Sequence, residues 1–268
     1  MERFIRFLIY FFVSIFRKNR RFLRISPNTK GKVFFYDKKK NIFFSVLVRE
    51  HIDSITADQI FTNHDYDLSF LIRYSELIES YQNILSQNKV PLIIDCGANI
   101  GLSSLYFSGE FPNAKIFSFE PEKNNYFMME QNCERLTQVS MFKKAIGSCD
   151  GFVRIQDNNS DNNAFRTSRN SNGAGDIEVI SINSILSKNK DLIPFIIKID
   201  IEGFEDDLFS ANTEWVERFP LLIIETHDWM LPKQRNSGQF LKVISSQNRD
   251  FIHKGENIYS ISNEELNI

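Results

Sequence analysis

Leu92-Ile93-Ile94-Asp95-Cys96-Gly97-Ala98-Asn99-Ile100-Gly101 is the stretch whose reading decides the fold. Its apolar, β-branched start follows Pro91 and reads as a buried strand of a parallel sheet. The run stops at an acid, passes through two glycines and continues as Leu102, Leu105 and Tyr106 at helical spacing. Gly97 and Gly101 therefore fall in a strand-to-helix turn, where a missing Cβ lets backbone approach a ligand closely. Open α/β sheets bind ligands at such turns, outside the carboxyl ends of their strands.

Further on, Lys115-Ile116-Phe117-Ser118-Phe119-Glu120-Pro121 gives a second strand that also ends in an acid. Glu120 lies about twenty positions past the turn, where a carboxylate can accept hydrogen bonds from both hydroxyls of a ribose. A dinucleotide and an adenosyl cofactor both carry that ribose. A dinucleotide also carries a pyrophosphate, which usually meets a three-glycine turn at a helix N-terminus. Here the turn has two glycines, and Asp95 precedes the first. A carboxylate there repels a pyrophosphate but suits a sulfonium or an amino group. These residues favour S-adenosylmethionine over NAD.

With Lys198-Ile199-Asp200-Ile201-Glu202-Gly203-Phe204-Glu205, the first turn and Phe119-Glu120-Pro121 together resemble the FkbM-type S-adenosylmethionine-dependent methyltransferases. The Lys-x-Asp-x-Glu-Gly-x-Glu motif is the most specific of the three, and the resemblance runs from Val90 to Met230. It implies an α/β, Rossmann-like class I methyltransferase sheet of seven mostly parallel strands with helices on both faces. It also implies that Ala145, at the end of the strand Val139-Ser140-Met141-Phe142-Lys143-Lys144, lies beside the adenine ring.

The other elements follow from periodicity. Phe195-Ile196-Ile197-Lys198-Ile199-Asp200 and Leu221-Leu222-Ile223-Ile224-Glu225-Thr226-His227 read as two more parallel strands. Strand tips at Asp95, Glu120, Asp200 and Glu225 are expected to face one edge of a single sheet. Helices are expected over Ser69–Leu85 and Glu122–Leu136, and a helix and a hairpin are expected in the tail. Phe152–Ile155 and Ile177–Ile180 read as strands around Asp157–Asp176, a segment with six Asn and two Gly that reads as a loop.

The first 25 residues differ from the rest. Phe7–Phe16 is almost wholly apolar, with Arg3 and Arg6 before it and Arg17, Lys18, Arg20, Arg21 and Arg24 after it. Ten helical residues rise about 15 Å, half of a bilayer's hydrocarbon core. The small residues of a signal-peptide cleavage site are lacking. The expectation is an interfacial helix on an anionic membrane, which suits a lipid-linked glycan acceptor. The expected divisions are an N-terminal helix over 1–25, a cap of hairpin and helix over 26–89, and the methyltransferase domain over 90–268. Cys96, Cys133 and Cys149 show neither disulfide nor zinc spacing, which points to a reducing, cytoplasmic setting, and the N-terminal helix adds the expectation of a peripheral place on the inner membrane face.

The expected roles follow from these positions. Asp95, Gly97, Asn99 and Gly101 serve the methionine end of the cofactor, Glu120 its ribose, and Ala145 its adenine. Glu202 and Glu225 line the acceptor side. His227 is the first candidate for the base that takes a hydroxyl proton, and Asp200 is the second. Asp200, Glu225 and His227 also offer a divalent-metal option, which the sequence does not favour. The reading is therefore an O-methyltransferase acting on a sugar or related acceptor. A non-catalytic scaffold of the same fold is the alternative. Net charge is −2, and the fourth strand ends in acids, so no nucleic-acid partner is expected.

Overall fold

The computed structural model describes residues 21–26, 31–156, 166–169 and 177–264. The expected membrane helix, up to residue 20, lies outside the described residues. Phe22–Arg24, placed by the sequence at the end of that helix, is instead a strand, β1. It pairs antiparallel with β2 (Gly31–Asp37), which pairs in turn with β3 (Ile42–Val48). Phe22 and Leu23 are buried, so packing outweighs the local helical pattern. The β2–β3 turn is fixed by Asp37 Oδ1, which accepts hydrogen bonds from the backbone N–H of Lys39 at 2.9 Å and Lys40 at 3.2 Å.

Helix α1 (His51–Ala57) continues through a π-helical turn at Asp58–Thr62, and α2 (Tyr74–Ser86) follows. The expected helix at Ser69 begins late because Leu68–Phe70 forms a separate 3-10 turn capped by Asp67. Phe22, Phe35 and Phe61 of this front section belong to the same buried cluster as Tyr106 and Phe107 of the main domain. The front section is therefore cemented to the sheet by a shared core.

The main sheet contains β4 (Val90–Cys96), β5 (Lys115–Phe119), β6 (Val139–Phe142), β11 (Leu192–Ile199), β12 (Leu221–Glu225), β13 (Arg249–Lys254) and β14 (Asn257–Ser262). Its order is β13-β14-β12-β11-β4-β5-β6, seven strands in all. The run from β12 to β6 is parallel, and the terminal hairpin adds two antiparallel strands at one edge. This is the expected α/β, mostly parallel arrangement. Pro194 sits in central β11, where the missing N–H is accommodated by a register shift between Pro194 and Ile196. Helices α3 (Leu102–Glu110) and α4 (Lys123–Cys133), together with α2, cover one face. Helices α5 (Ile182–Lys188) and α7 (Gly238–Ile244) and a 3-10 turn at Glu214–Arg218 cover the other. The short α6 (Glu205–Leu208) sits beyond the tip of β11.

A second sheet, β7-β10-β8-β9, is built from Ala145–Gly147, Ile177–Ser181, Gly151–Gln156 and Arg166–Arg169. The last of these falls in the segment read from sequence as a loop. An edge strand can take its hydrogen bonds from the backbone of β8 without an apolar pattern, so the sequence carried no signal for it. Among the described residues, no helix is long and apolar enough to cross a membrane.

Candidate active site

The turn after β4 is held by backbone geometry. Gly97, Asn99 and Gly101 all have positive φ (77°, 49° and 86°), and the N–H groups of Gly97 and Ala98 both donate to the Phe119 carbonyl. This ties the tip of β4 to the tip of β5. A Cβ on Gly97 would lie 1.7 Å from the Asp200 carbonyl oxygen, so glycine lets the tip of β11 close against the turn. Gly101 has a different reason. Its Cβ would meet Cys133 Sγ at 2.8 Å and Met129 Cγ at 3.0 Å, so its smallness serves the packing of α3 on α4.

A cleft opens over these tips, enclosing about 670 Å³ of space that is partly open to solvent. Gly97, Asn99, Glu120, Ala145, Asp200 and Glu202 all border it. Phe119, Pro121, Ile146 and Phe204 add apolar wall. Glu120 is buried, and its two oxygens accept from the backbone N–H of Asn99 and of Glu122, each at 2.9 Å. Burial pushes its carboxyl up to about 7 despite those two hydrogen bonds. A second cleft adjoins at Asn99, Asn125 and Glu202 and runs between α1 and α4.

Two sequence expectations need correction. Gly101 does not border the cleft, for the packing reason given. Asp95 is fully buried and does not border it either. Its Oδ2 accepts from Ser103 Oγ and Ser104 Oγ at 2.6 Å each, and Lys198 Nζ stands 3.2 Å from Oδ1. Asp95 faces α3 because its side chain shares the face of Ile93, and the first turn of that helix lies directly above it. Lys198 Nζ also donates to the Gly97 carbonyl at 2.7 Å and lies 3.4 Å from Asp200 Oδ2. Burial opposes the lysine's charge, but Asp95, Tyr66 and Asp200 together hold it well above the usual lysine range. Asp95 thus acts from beneath the turn, by fixing the lysine that braces both strand tips.

On the other side of Asp200 lies the His227 group. The buried His227 places Nε2 at 3.5 Å from Asp200 Oδ1 and 3.7 Å from Glu225 Oε1. Its Nδ1 is 2.7 Å from Oε1 of Glu205, whose Oε2 accepts from Asn236 Nδ2. Burial lowers the imidazole's affinity for a proton, but Glu205, Asp200 and Glu225 overcome this and push it up to about 9. An imidazole held that high is not a ready base near neutral pH. Burial and the neighbouring Asp200 push Glu202 up to about 8 and Glu225 to about 7. Asp200, partly open to the cleft, is the better placed proton acceptor. Sequence reasoning missed Glu205 and Asn236 as partners of His227. The last acid of Lys198–Glu205 was the available signal for the first, and nothing local marks the second.

The Methyltransferase FkbM domain family matches residues 95–252. Methyltransferase sdnD of Sordaria araneosa is 39% identical over 74 residues, 28% of this chain and 22% of that protein. Hexuronic acid methyltransferase AglP of Haloferax volcanii is 24% identical over 141 residues, 52% of this chain and 57% of that protein. The matched segments thus span less than two thirds of either relative. The crystal structure of Methyltransferase FkbM from Methylobacillus flagellatus KT aligns with a TM-score of 0.44 at 18% identity, covering 64% of this chain and 43% of that one.

Proposed function

Because the chain belongs to the FkbM methyltransferase family, we propose that it carries the methyl group of S-adenosylmethionine to a hydroxyl of a sugar or sugar-like acceptor. Bound in the cleft, S-adenosylmethionine would supply an electrophilic methyl carbon on a sulfonium. The observation that carries the reading is Asn99 Oδ1. It is buried at the cleft and, among the described residues, lacks a hydrogen-bond partner. A carbonyl oxygen left bare beside a cavity fits a ligand that brings its own N–H donor, as the ammonium of the methionine end does.

The other residues fit the same ligand. Glu120 would accept from the ribose hydroxyls, and Ala145, Ile146 and Phe204 offer an apolar slot for adenine. Methyl transfer is an in-line displacement, so positioning supplies much of the acceleration. The close seating of the Asp200 carbonyl against Gly97 fixes the donor side relative to the acceptor side. Asp200 would accept the hydroxyl proton, and His227 would orient Asp200 and Glu225. The sugar class is supported by the hexuronic acid methyltransferase among the relatives. The apolar and basic sequence of residues 1–20 supports an acceptor at an anionic membrane.

The test is calorimetry with S-adenosylhomocysteine, followed by incubation with methyl-labelled cofactor and a glycan fraction. The expected result is stoichiometric binding and label on an ether oxygen of a sugar. Failure to bind the adenosyl compound sinks the proposal. Label on nitrogen or on nucleic acid sinks the acceptor class alone.

A further inference from the structure

We propose that the outer face of the β2–β3 hairpin is a docking surface for an anionic lipid membrane. Side chains alternate along its strands, so Val33, Phe35 and Val46 face the core while Lys32, Phe34, Tyr36 and Phe43 face away from it. Tyr36 and Phe43 are register partners whose rings lie 4.8 Å apart, and Phe34 follows on the same face. Phe43 is 71% exposed, and Phe34 and the neighbouring Ile42 are exposed as well. Folding leaves this aromatic stripe in water, and such stripes mark surfaces that meet a partner or a membrane.

Charge selects the membrane. The turn that closes the hairpin reads Lys38-Lys39-Lys40, and Lys32 flanks the stripe at its other end. Two acids lie near the tip, Asp37 and Glu110, and Arg21 engages both, at 2.8 Å from Asp37. Lys39 reaches Glu110 at 3.5 Å while its side chain stays 62% exposed. Positive charge is therefore in excess at the tip, and the outward positions of both strands carry no acid. Rings at the acyl boundary with lysines among anionic headgroups are how proteins sit on such a surface.

The path of the chain is the second observation. The Arg21 carbonyl accepts a hydrogen bond from the Lys38 backbone N–H at 2.9 Å, so the chain enters β1 beside the lysine turn. The twenty residues before Arg21, apolar with basic flanks, are thus attached where the hairpin presents the same chemistry. A second contact on a folded element adds avidity and sets an orientation. At its far end β3 leads into Arg49 and Glu50, which border the second cleft, one strand length of about 23 Å from the turn. Under the methyl-transfer reading, docking brings a lipid-linked acceptor toward the clefts. The docking itself does not depend on that reading.

The test uses the full chain and vesicles of equal parts phosphatidylcholine and phosphatidylglycerol. A nitroxide is attached at Phe43→Cys in a Cys149→Ser background, since Cys96 and Cys133 are buried. A second preparation carries it at Leu241→Cys, exposed on α7 across the sheet. On vesicle binding, the nitroxide on the hairpin should become more accessible to oxygen and less accessible to a water-soluble nickel complex, while the one on α7 stays aqueous. Lys32→Gln, Lys39→Gln and Lys40→Gln together should weaken vesicle binding by about tenfold or more, with circular dichroism unchanged. Three results overturn the proposal: no vesicle binding, a hairpin nitroxide that stays in water on bound protein, or a triple variant that binds like the parent. The second of these would leave residues 1–20 as the membrane contact and give the stripe to a protein partner. Calorimetry of S-adenosylhomocysteine on the same protein judges the methyltransferase reading separately.

Discussion

Lys198 and Asp95 are register partners on adjacent parallel strands, with Nζ 3.2 Å from Oδ1 and both side chains sealed from solvent. Ser118, the partner of Asp95 on the next strand, extends this polar row through Ser104. Removing one member of such a pair leaves a buried charge without compensation. Lys198→Met should therefore lower stability by about 3–5 kcal/mol. The double variant Asp95→Asn, Lys198→Met should recover much of that loss. Urea denaturation measures both, and a single variant within about 1 kcal/mol of the parent would contradict the role given to this row.

Glu120 predicts a pH dependence. Its carboxyl is raised from an ordinary 4.5 to about 7 in the folded protein. A raised carboxyl stabilises the fold fully below 4.5, and that contribution fades as pH climbs to about 7. Ribose hydroxyls need the ionised form as acceptor, so affinity for S-adenosylhomocysteine should rise through the same window and level off above it. Glu120→Gln should bind at least tenfold more weakly and lose this part of both trends. Calorimetry and thermal melts from pH 5 to pH 8.5 provide the comparison with the parent.

The two glycines of the turn should differ in tolerance. Gly97→Ala drives a Cβ into backbone at 1.7 Å, whereas Gly101→Ala meets the buried side chains of Cys133 and Met129 at 2.8 and 3.0 Å, a milder clash away from the cleft. Both positions also have positive φ, which costs alanine about 1 kcal/mol or more. Gly97→Ala is expected to abolish adenosyl binding or folding, and Gly101→Ala to leave a folded, binding-competent protein with a lower melting temperature. Equal effects on binding would contradict the separate reasons given for the two residues.

His227 stands behind Asp200 and does not border the cleft over the strand tips. His227→Ala should lower the rate of methyl transfer by about 10²-fold, through misplacement of Asp200, while leaving S-adenosylhomocysteine affinity within threefold. Single-turnover rates and calorimetry on the same preparation check both parts. A large loss of adenosyl affinity would place the imidazole on the donor side.

Much of this arrangement was legible in the sequence because parallel strands buried on both faces leave continuous apolar runs. Val90–Cys96 and Leu192–Ile199 are runs of this kind, and their ends mark the cleft. Side-chain direction was less legible. Asp95 and Asp200 both follow apolar runs, yet Asp95 lies inside β4 and points under α3, while Asp200 lies just past β11 and reaches the cleft. Asp95 is level with Lys198, so Asp200 stands two positions further along, past the end of the strand where the chain turns into the cleft, and periodicity does not resolve boundaries that finely. The strand at Phe22–Arg24 escaped detection because three residues are too few to show alternation and its charged neighbours imitate an amphipathic helix. The Asn236–Glu205–His227 chain escaped for another reason: it joins side chains from separate segments that meet only once the sheet has formed.

The contact between Gly97 and the Asp200 carbonyl also bears on how such a protein can change. With no room for even one methyl between them, the tips of β4 and β11 are locked against each other. Variation is freer at the periphery, around the exposed Trp229 and the exposed Ile52 and Phe127 of the second cleft, whereas Asn99 and Glu202, shared by both clefts, tie any change there to the first.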